Sequence, residues 1–300
     1  MIGAEYNHMF NDECKLGRNR TYREVMDGFL PSLENYYQHP EAFSMEPFKI
    51  FGNLYYVGNK KVCMHLVDTG DGLILFDSGY SHDYSSLIAS IEKLGFSPYD
   101  IKILIHSHGH FDHFGGGDRI RAQYGAKIYM SKVDTDLLRQ MPERALMKFA
   151  PGKDDRICYP DVTINDEDTI SLGNTNIHCK LSPGHTPGTM SFFFTATDGE
   201  KDLKVGYLGG VGFLTLYREY IQEYRLDPNM LAIMKQTVTK LSKYQVDIFL
   251  GNHPNHNCTL EKRQYMLDHP GENPFINPNG WQIFLQALEE RRADFEKLGY

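Results

Sequence analysis

The chain has 300 residues, 41% hydrophobic and 23% charged, with a formal net charge of -8 at pH 7. Those proportions are globular, leave no tract poor enough in apolar side chains to stay unfolded, and allow one sizeable core with decorations. The negative charge repels a phosphate backbone, no run reaches the roughly 20 apolar residues of a membrane span, and the start lacks the basic-then-apolar order of a secretory signal. Nucleic acid and membrane are therefore excluded as partners, and the expected location is the cytoplasm unless the sequence was trimmed from an exported one. Cys14, Cys63, Cys158, Cys179 and Cys258 are scattered with no C-x-x-C pair, which signals neither a disulfide framework nor a cysteine zinc knuckle.

Residues 20–39 predict an aromatic, helical lead-in broken at Pro31, since proline lacks a backbone donor and clashes with the preceding turn. From residue 47 onward short β-rich runs at 54–58, 61–68, 73–77 and 101–106 are separated by Gly or Asp turns and predict strands. Leu87, Ile88, Ile91 and Leu94 share one face of a helix over 83–94, which should lie on a sheet. A strand at 127–130 leads to a short helix at 132–140 and a charged stretch at 151–156, where a flap or substrate-lining segment is expected.

Further strands are predicted at 176–181, 190–195, 204–208 and 246–250, and helices at 229–243 and 278–298. Asp227-Pro228 and Asn277-Pro278 open the two helices, as a capping side chain followed by a residue that needs no N–H. Two blocks of strands, each followed by helices, imply an α/β chain folded as a four-layer αββα sandwich.

The informative stretch is IKILIHSHGHFDHFGGGD at 101–118, where an apolar strand runs into His108-x-His110-x-Asp112-His113 and then three glycines. Ligand chemistry in α/β folds sits at such strand ends. Four imidazole and carboxylate groups within six residues cannot all be core histidines; they suit zinc, with iron and manganese left open for the same donors. A catalytic zinc takes about three protein ligands and keeps a position for water, so two zincs ask for about six. His185 in LSPGHTPGT and His253 in FLGNHPN, each on a turn after a strand, complete the number.

The order of these motifs resembles the metallo-β-lactamase superfamily. The segments EPFKIFGNLYYVGN, LILFDSGY, SPGHTPGT, GNHP and NPFINPNGW make residues 45 to 298 similar to class B β-lactamases of the third subclass. The resemblance implies one metal on His108, His110 and His185, a second on Asp112, His113 and His253, and Asp112 as the group orienting the attacking water. It implies Asp77 as a partner behind the ligands. Residues 1–45 then form a helical lead-in packed on the core, and 46–300 a metallo-β-lactamase-like hydrolase domain. Many superfamily members bridge the metals with an Asp from a Gly-Asp pair; here that region reads YLGGVGFL, which argues against the hydroxyacylglutathione-hydrolase, RNA-processing and quorum-lactonase branches.

Cleavage of a cyclic amide, with a β-lactam as the implied substrate, is the leading expectation for this two-zinc hydrolase. The alternative is a cytoplasmic hydrolase of another small amide, lactone or ester, and a di-iron oxygen-reducing module is the reading from another class. His106 and His256 are expected beside the site and not in it, and His65 and His178 packed or solvent-facing. Specificity is expected in loops 131–160 and 212–228, where Tyr217, Tyr220 and Tyr224 either line the pocket or pack; physiological substrate and oligomeric state stay open.

Overall fold

Alternation of apolar side chains sorts the strands into two sheets and two cores. In β4 (Leu73–Phe76) all four residues are buried: Leu73 and Leu75 join the core beneath the helices, whereas Ile74 and Phe76 join the core between the sheets. The same division holds in β10 (Met190–Thr197), where Phe192 and Phe194 face the opposite sheet and Phe193 faces Trp281. Phe76 stacks on Phe194 at 5.6 Å and on Tyr207 at 5.1 Å across the inter-sheet core. The computed structural model describes residues 21–153 and 155–300; residues 1–20, with Cys14 and the first residue of the lead-in, and Asp154 of the charged stretch lie outside the described residues.

The first sheet runs in chain order through β1 (Phe48–Phe51), β2 (Leu54–Tyr56), β3 (His65–Asp68), β4, β5 (Ile101–Ile105), β6 (Lys127–Ser131) and β7 (Val162–Ile164). It is antiparallel as far as β4 and parallel from there on. The second orders β12 (Ile248–Gly251), β11 (Asp202–Leu208), β10, β9 (Thr175–Leu181) and β8 (Thr169–Leu172), with only the β11–β12 pair parallel.

Helix α1 (Tyr22–Gln38) belongs to the lead-in, and α2 (Tyr84–Lys93) puts Leu87, Ile88 and Ile91 into the core on the first sheet. After α3 (Phe111–Phe114), α4 (Gly117–Tyr124), α5 (Lys132–Gln140) and α6 (Arg218–Glu223), the helices α7 (Met230–Leu241) and α9 (Gly280–Lys297) cover the second sheet. Between them α8 (Thr259–Asp268) follows β12. Trp281 locks the last layer, its Nε1–H donating to Leu241 O at 3.0 Å with the ring edge-on to Phe249. The four-layer αββα expectation is met.

Three expectations need correction. Pro31 does not break the lead-in; α1 runs through it, because Asp27 and Pro31 lie on the exposed side, where water can replace the lost hydrogen bond. Asp227 and Asn277 are not the caps themselves: their Oδ1 atoms accept the N–H of Asn229 and Asn279, and these two residues, each two positions later, are the caps. Strands β1, β7 and β8 and helices α3, α4, α6 and α8 add to the predicted set. The described cysteines are buried and none forms a disulfide.

Candidate metal centre

Because β4, β5, β6, β11 and β12 run in the same sense within their sheets, the loops that leave their C-terminal ends gather at one edge of the sandwich. The β9–β10 turn, which holds His185, joins them. Two backbone rungs tie the sheets together there: Met190 N–H donates to Ser107 O at 3.0 Å, and Cys63 N–H to Asn252 O at 3.0 Å. Short helix α3 turns His110, Asp112 and His113 inward, and the following glycines let it sit against the 78–81 loop. A Cβ on Gly115 would lie 2.3 Å from Ser81 N.

Three distant segments thereby converge. His108 Nε2 lies 3.0 Å from His110 Nδ1, which lies 3.1 Å from His185 Nε2. Asp112 Oδ2 lies 3.3 Å from His113 Nε2 and 3.5 Å from His253 Nε2. His108, Asp112 and His113 also form a compact group, and the His253 ring stands 5.0 Å from that of His113. Tetrahedral zinc with bonds of about 2.05 Å to nitrogen separates its donors by about 3.3 Å, so these spacings fit a cation within a few tenths of an ångström.

Hydrogen bonds on the far side of each ring fix which nitrogen faces inward. The Nδ1–H groups of His108, His185 and His253 donate to Gly209 O (2.8 Å), Gly212 O (3.0 Å) and Lys61 O (2.9 Å), and that of His113 to Asp77 Oδ2 (2.8 Å). In its neutral form each ring then presents its Nε2 lone pair to the cluster. Buried His113 Nε2 has no hydrogen-bond partner, and the Nε2 atoms of His108 and His185 both crowd on His110 Nδ1, whose single hydrogen can serve only one of them. The donor set fits the metal that the sequence implied.

Burial, reinforced by neighbouring imidazoles, holds His108 and His110 well below the ordinary histidine range, and burial brings His185 down to about 4. Burial lowers His253 too. These rings are neutral, hence ready to ligate, at pH 7. Burial also opposes charge on His113, yet the carboxylates of Asp112 and Asp77 on either side push it up to about 10. For Asp112, burial is outweighed by His113, His253 and His110, and the carboxylate stays ionised.

Asp77 carries the cluster from behind. It is fully buried in a left-handed backbone conformation (φ 58°), uncommon for a residue with a side chain. Its carboxylate accepts from Ser107 N–H (2.7 Å), Ser107 O–H (2.9 Å), Tyr207 O–H (2.8 Å) and His113 Nδ1–H. Buried Asp134, which sequence reasoning missed, joins two of the metal loops: it accepts from Gly109 N–H (2.9 Å), Thr186 O–H (2.7 Å) and Gly188 N–H (2.7 Å). The only sequence signal near it is Ser131, whose hydroxyl caps α5 at the Asp134 N–H, and this marks a helix start and not a brace.

The remaining histidines stand apart. His106 faces Ser78 Oγ at 3.3 Å, and His256 packs behind His253 with ring centroids 5.5 Å apart. His65 is buried edge-on to Tyr56 and Tyr207, while exposed His178 meets Thr169. Tyr217 packs against Phe295, and Tyr220 and Tyr224 stack at 4.3 Å beside a small cavity behind His110 and His185.

The donors open onto a cleft of about 450 Å³, a size that holds a small molecule. Phe29 of α1, Lys61, Phe111, Leu146, Leu214 and Pro254 are among its walls. Loops 131–160 and 212–228 do reach it, through Leu146, Gly212, Leu214 and Thr215. Among the described residues no helix is long and apolar enough to cross a membrane.

The family model for the metallo-beta-lactamase superfamily matches residues 62–198. By sequence the chain is similar to the hydroxyacylglutathione hydrolase GloC of Haemophilus influenzae, 30% identical over 153 residues, 50% of this chain and 66% of that protein. It spans less than two thirds of the length of two curated relatives it matches, 36% and 66%. By structure it is similar to BJP-1, a subclass B3 metallo-beta-lactamase of Bradyrhizobium japonicum, with TM-score 0.69 and 28% identity over 85% of this chain and 94% of that one. The metallo-beta-lactamase GOB-18 from Elizabethkingia meningoseptica gives TM-score 0.73 and 30% identity over 85% and 93%. With its fold, its donor cluster and these likenesses in agreement, the chain belongs to the metallo-β-lactamase superfamily.

Proposed function

We propose that the chain is a two-zinc hydrolase that opens a cyclic amide, as a β-lactamase does. His108, His110 and His185 hold one ion and Asp112, His113 and His253 the other; Asp112 is the catalytic carboxylate. Two divalent ions held by these residues would lower the pKa of a bound water to somewhere about 7 and polarise a carbonyl. The chain's own contribution is positioning. Asp112 accepts a hydrogen bond that orients the water, and Gly209, Gly212, Lys61 and Asp77 hold the four Nε2 ligands in their tautomers. Phe111, Leu146 and Leu214 give the cleft apolar walls.

The observation that carries this reading is the six-donor cluster with glycines where relatives of other branches use a bridging Asp. A Cβ on Gly209 would lie 1.9 Å from Met190 O, and one on Gly210 2.8 Å from His185 Cδ2, so no carboxylate reaches the ions from this turn. The similarity to GloC favours a second reading, a metallo-hydrolase of a thioester, ester or lactone with weak β-lactamase activity. A screen of zinc-loaded protein against a chromogenic cephalosporin, lactones and thioesters, with His110→Ala as control, separates them. Vigorous cephalosporin turnover supports the first reading, trace turnover beside rapid thioester or lactone cleavage the second, and turnover undiminished in the control refutes both.

A further inference from the structure

Lys61 is a half-buried lysine on the wall of the metal cleft, and among the described residues no carboxylate lies within ion-pair distance of its ammonium. Nζ instead donates to the neutral Ser32 Oγ of α1 at 2.8 Å and lies 5.9 Å from the centre of the Phe43 ring. An ammonium removed from much of its water and given one neutral acceptor keeps capacity for a charged one. The backbone carbonyl of the same residue accepts the His253 Nδ1–H, so the residue that carries the cation also touches the candidate second metal site.

Helix α1 is anchored on both sides of the cleft. Tyr36 O–H donates to Asp83 and its oxygen accepts Asn59 Nδ2–H at 2.8 Å on the sheet side. On the flap side Tyr37 O–H donates to Phe149 O at 2.5 Å, with Phe29 edge-on to Phe149 at 5.6 Å. Phe29 itself also reaches the cleft wall. The helix is therefore part of the cleft and not an appendage to it.

We propose that α1 and the Lys61 ammonium it holds form an anion-binding wall, so that the substrates carry a carboxylate toward Lys61 and a flat apolar group toward Phe29. This rests on the hydrolase reading and narrows its substrate class. Asp112 shares the cleft, but its charge is committed to the ligating cluster, and Glu261 lies on the wall without an ion pair to Lys61.

The test compares a chromogenic cyclic amide as free acid and as methyl ester, in wild type, Lys61→Met, Lys61→Arg and Phe29→Ala, each with zinc content measured. Lys61→Met keeps the backbone carbonyl that His253 uses. It should lower the acid-to-ester ratio of kcat/KM about tenfold, the loss of one charge-assisted hydrogen bond, chiefly through the KM of the acid, and Lys61→Arg should restore most of it. Phe29→Ala should weaken aryl-bearing substrates more than small ones. In zinc-free protein, phenylacetate should shift the amide NMR resonances of residues around Lys61 and methyl phenylacetate should not. An unchanged ratio in Lys61→Met together with equal responses to the two probes overturns the proposal. The absence of any zinc-dependent turnover would instead fail the hydrolase reading, while the NMR titration still decides the anion site.

Discussion

Replacing Asp77 by Asn tests whether the cluster depends on the hydrogen bonds behind it. The change preserves shape, and asparagine tolerates the left-handed backbone at φ 58° at least as well as aspartate, so backbone strain cannot explain a loss. Oδ1 keeps the Ser107 N–H, but an amide NH2 in place of Oδ2 meets three donors: Ser107 O–H, Tyr207 O–H and His113 Nδ1–H. The hydroxyls can rotate; the imidazole can relieve the clash only by moving its proton to Nε2, the nitrogen that must ligate. Loss of such an outer hydrogen bond costs about 10- to 100-fold in metal affinity, or roughly 1.4–2.7 kcal/mol, with a stability loss of about 1.5–3 kcal/mol from the charged hydrogen bond. Zinc affinity measured against a chromophoric chelator should show this loss at one of two sites. Wild-type affinity at both sites would refute the reasoning.

Other outcomes follow from the same geometry. Zinc uptake at pH 8 should release about one proton per chain, from His113, because that ring stays protonated up to about 10 while His108, His110 and His185 are already neutral. Calorimetry in buffers of different ionisation enthalpy reads it, and release of equal size above pH 10 would contradict it. The same proton stabilises the zinc-free fold: with a folded value above the ordinary 6.5, the contribution is complete below 6.5 and lost as pH rises through about 10. The stability difference between wild type and His113→Gln should shrink across that range, and a difference that grows would have the wrong sign. Gly209→Ala drives a Cβ into Met190 O and shifts the carbonyl that orients His108, so it should cost roughly 2 kcal/mol or more in urea unfolding and weaken zinc binding. Phe194→Ala, in the inter-sheet core, should cost about 3–5 kcal/mol and leave the stoichiometry of zinc in the folded protein unchanged.

Much of the architecture could be read from period alone. The short apolar runs in MSFFFT and LILF, bounded by turn residues, indicate strands, and the spacing of Leu87, Ile88 and Ile91 is helical. The elements that escaped are short or weakly patterned: β7 has 3 residues, and α8 has almost no apolar stripe, so each is fixed by neighbours distant in sequence. Pro31 misled because a helix interior tolerates proline when the lost acceptor faces water, and exposure is not written in the residue type.

The site divides in the same way. His108, His110, Asp112 and His113 announce themselves by crowding, and His185 and His253 by their place after apolar strands. The groups that orient them were mostly hidden: three of the four acceptors are backbone carbonyls, of Gly209, Gly212 and Lys61, which any sequence possesses. Asp134 was hidden for a related reason, since a carboxylate one turn into a surface-patterned helix looks solvated until the fold brings Gly109 and Gly188 against it.

Diffraction from zinc-loaded crystals recorded on both sides of the zinc absorption edge bears most directly on the two-ion centre. Two full-occupancy anomalous peaks are expected, one bounded by His108, His110 and His185 and the other by Asp112, His113 and His253. A single peak, or strong zinc signal only away from these side chains, would contradict the account.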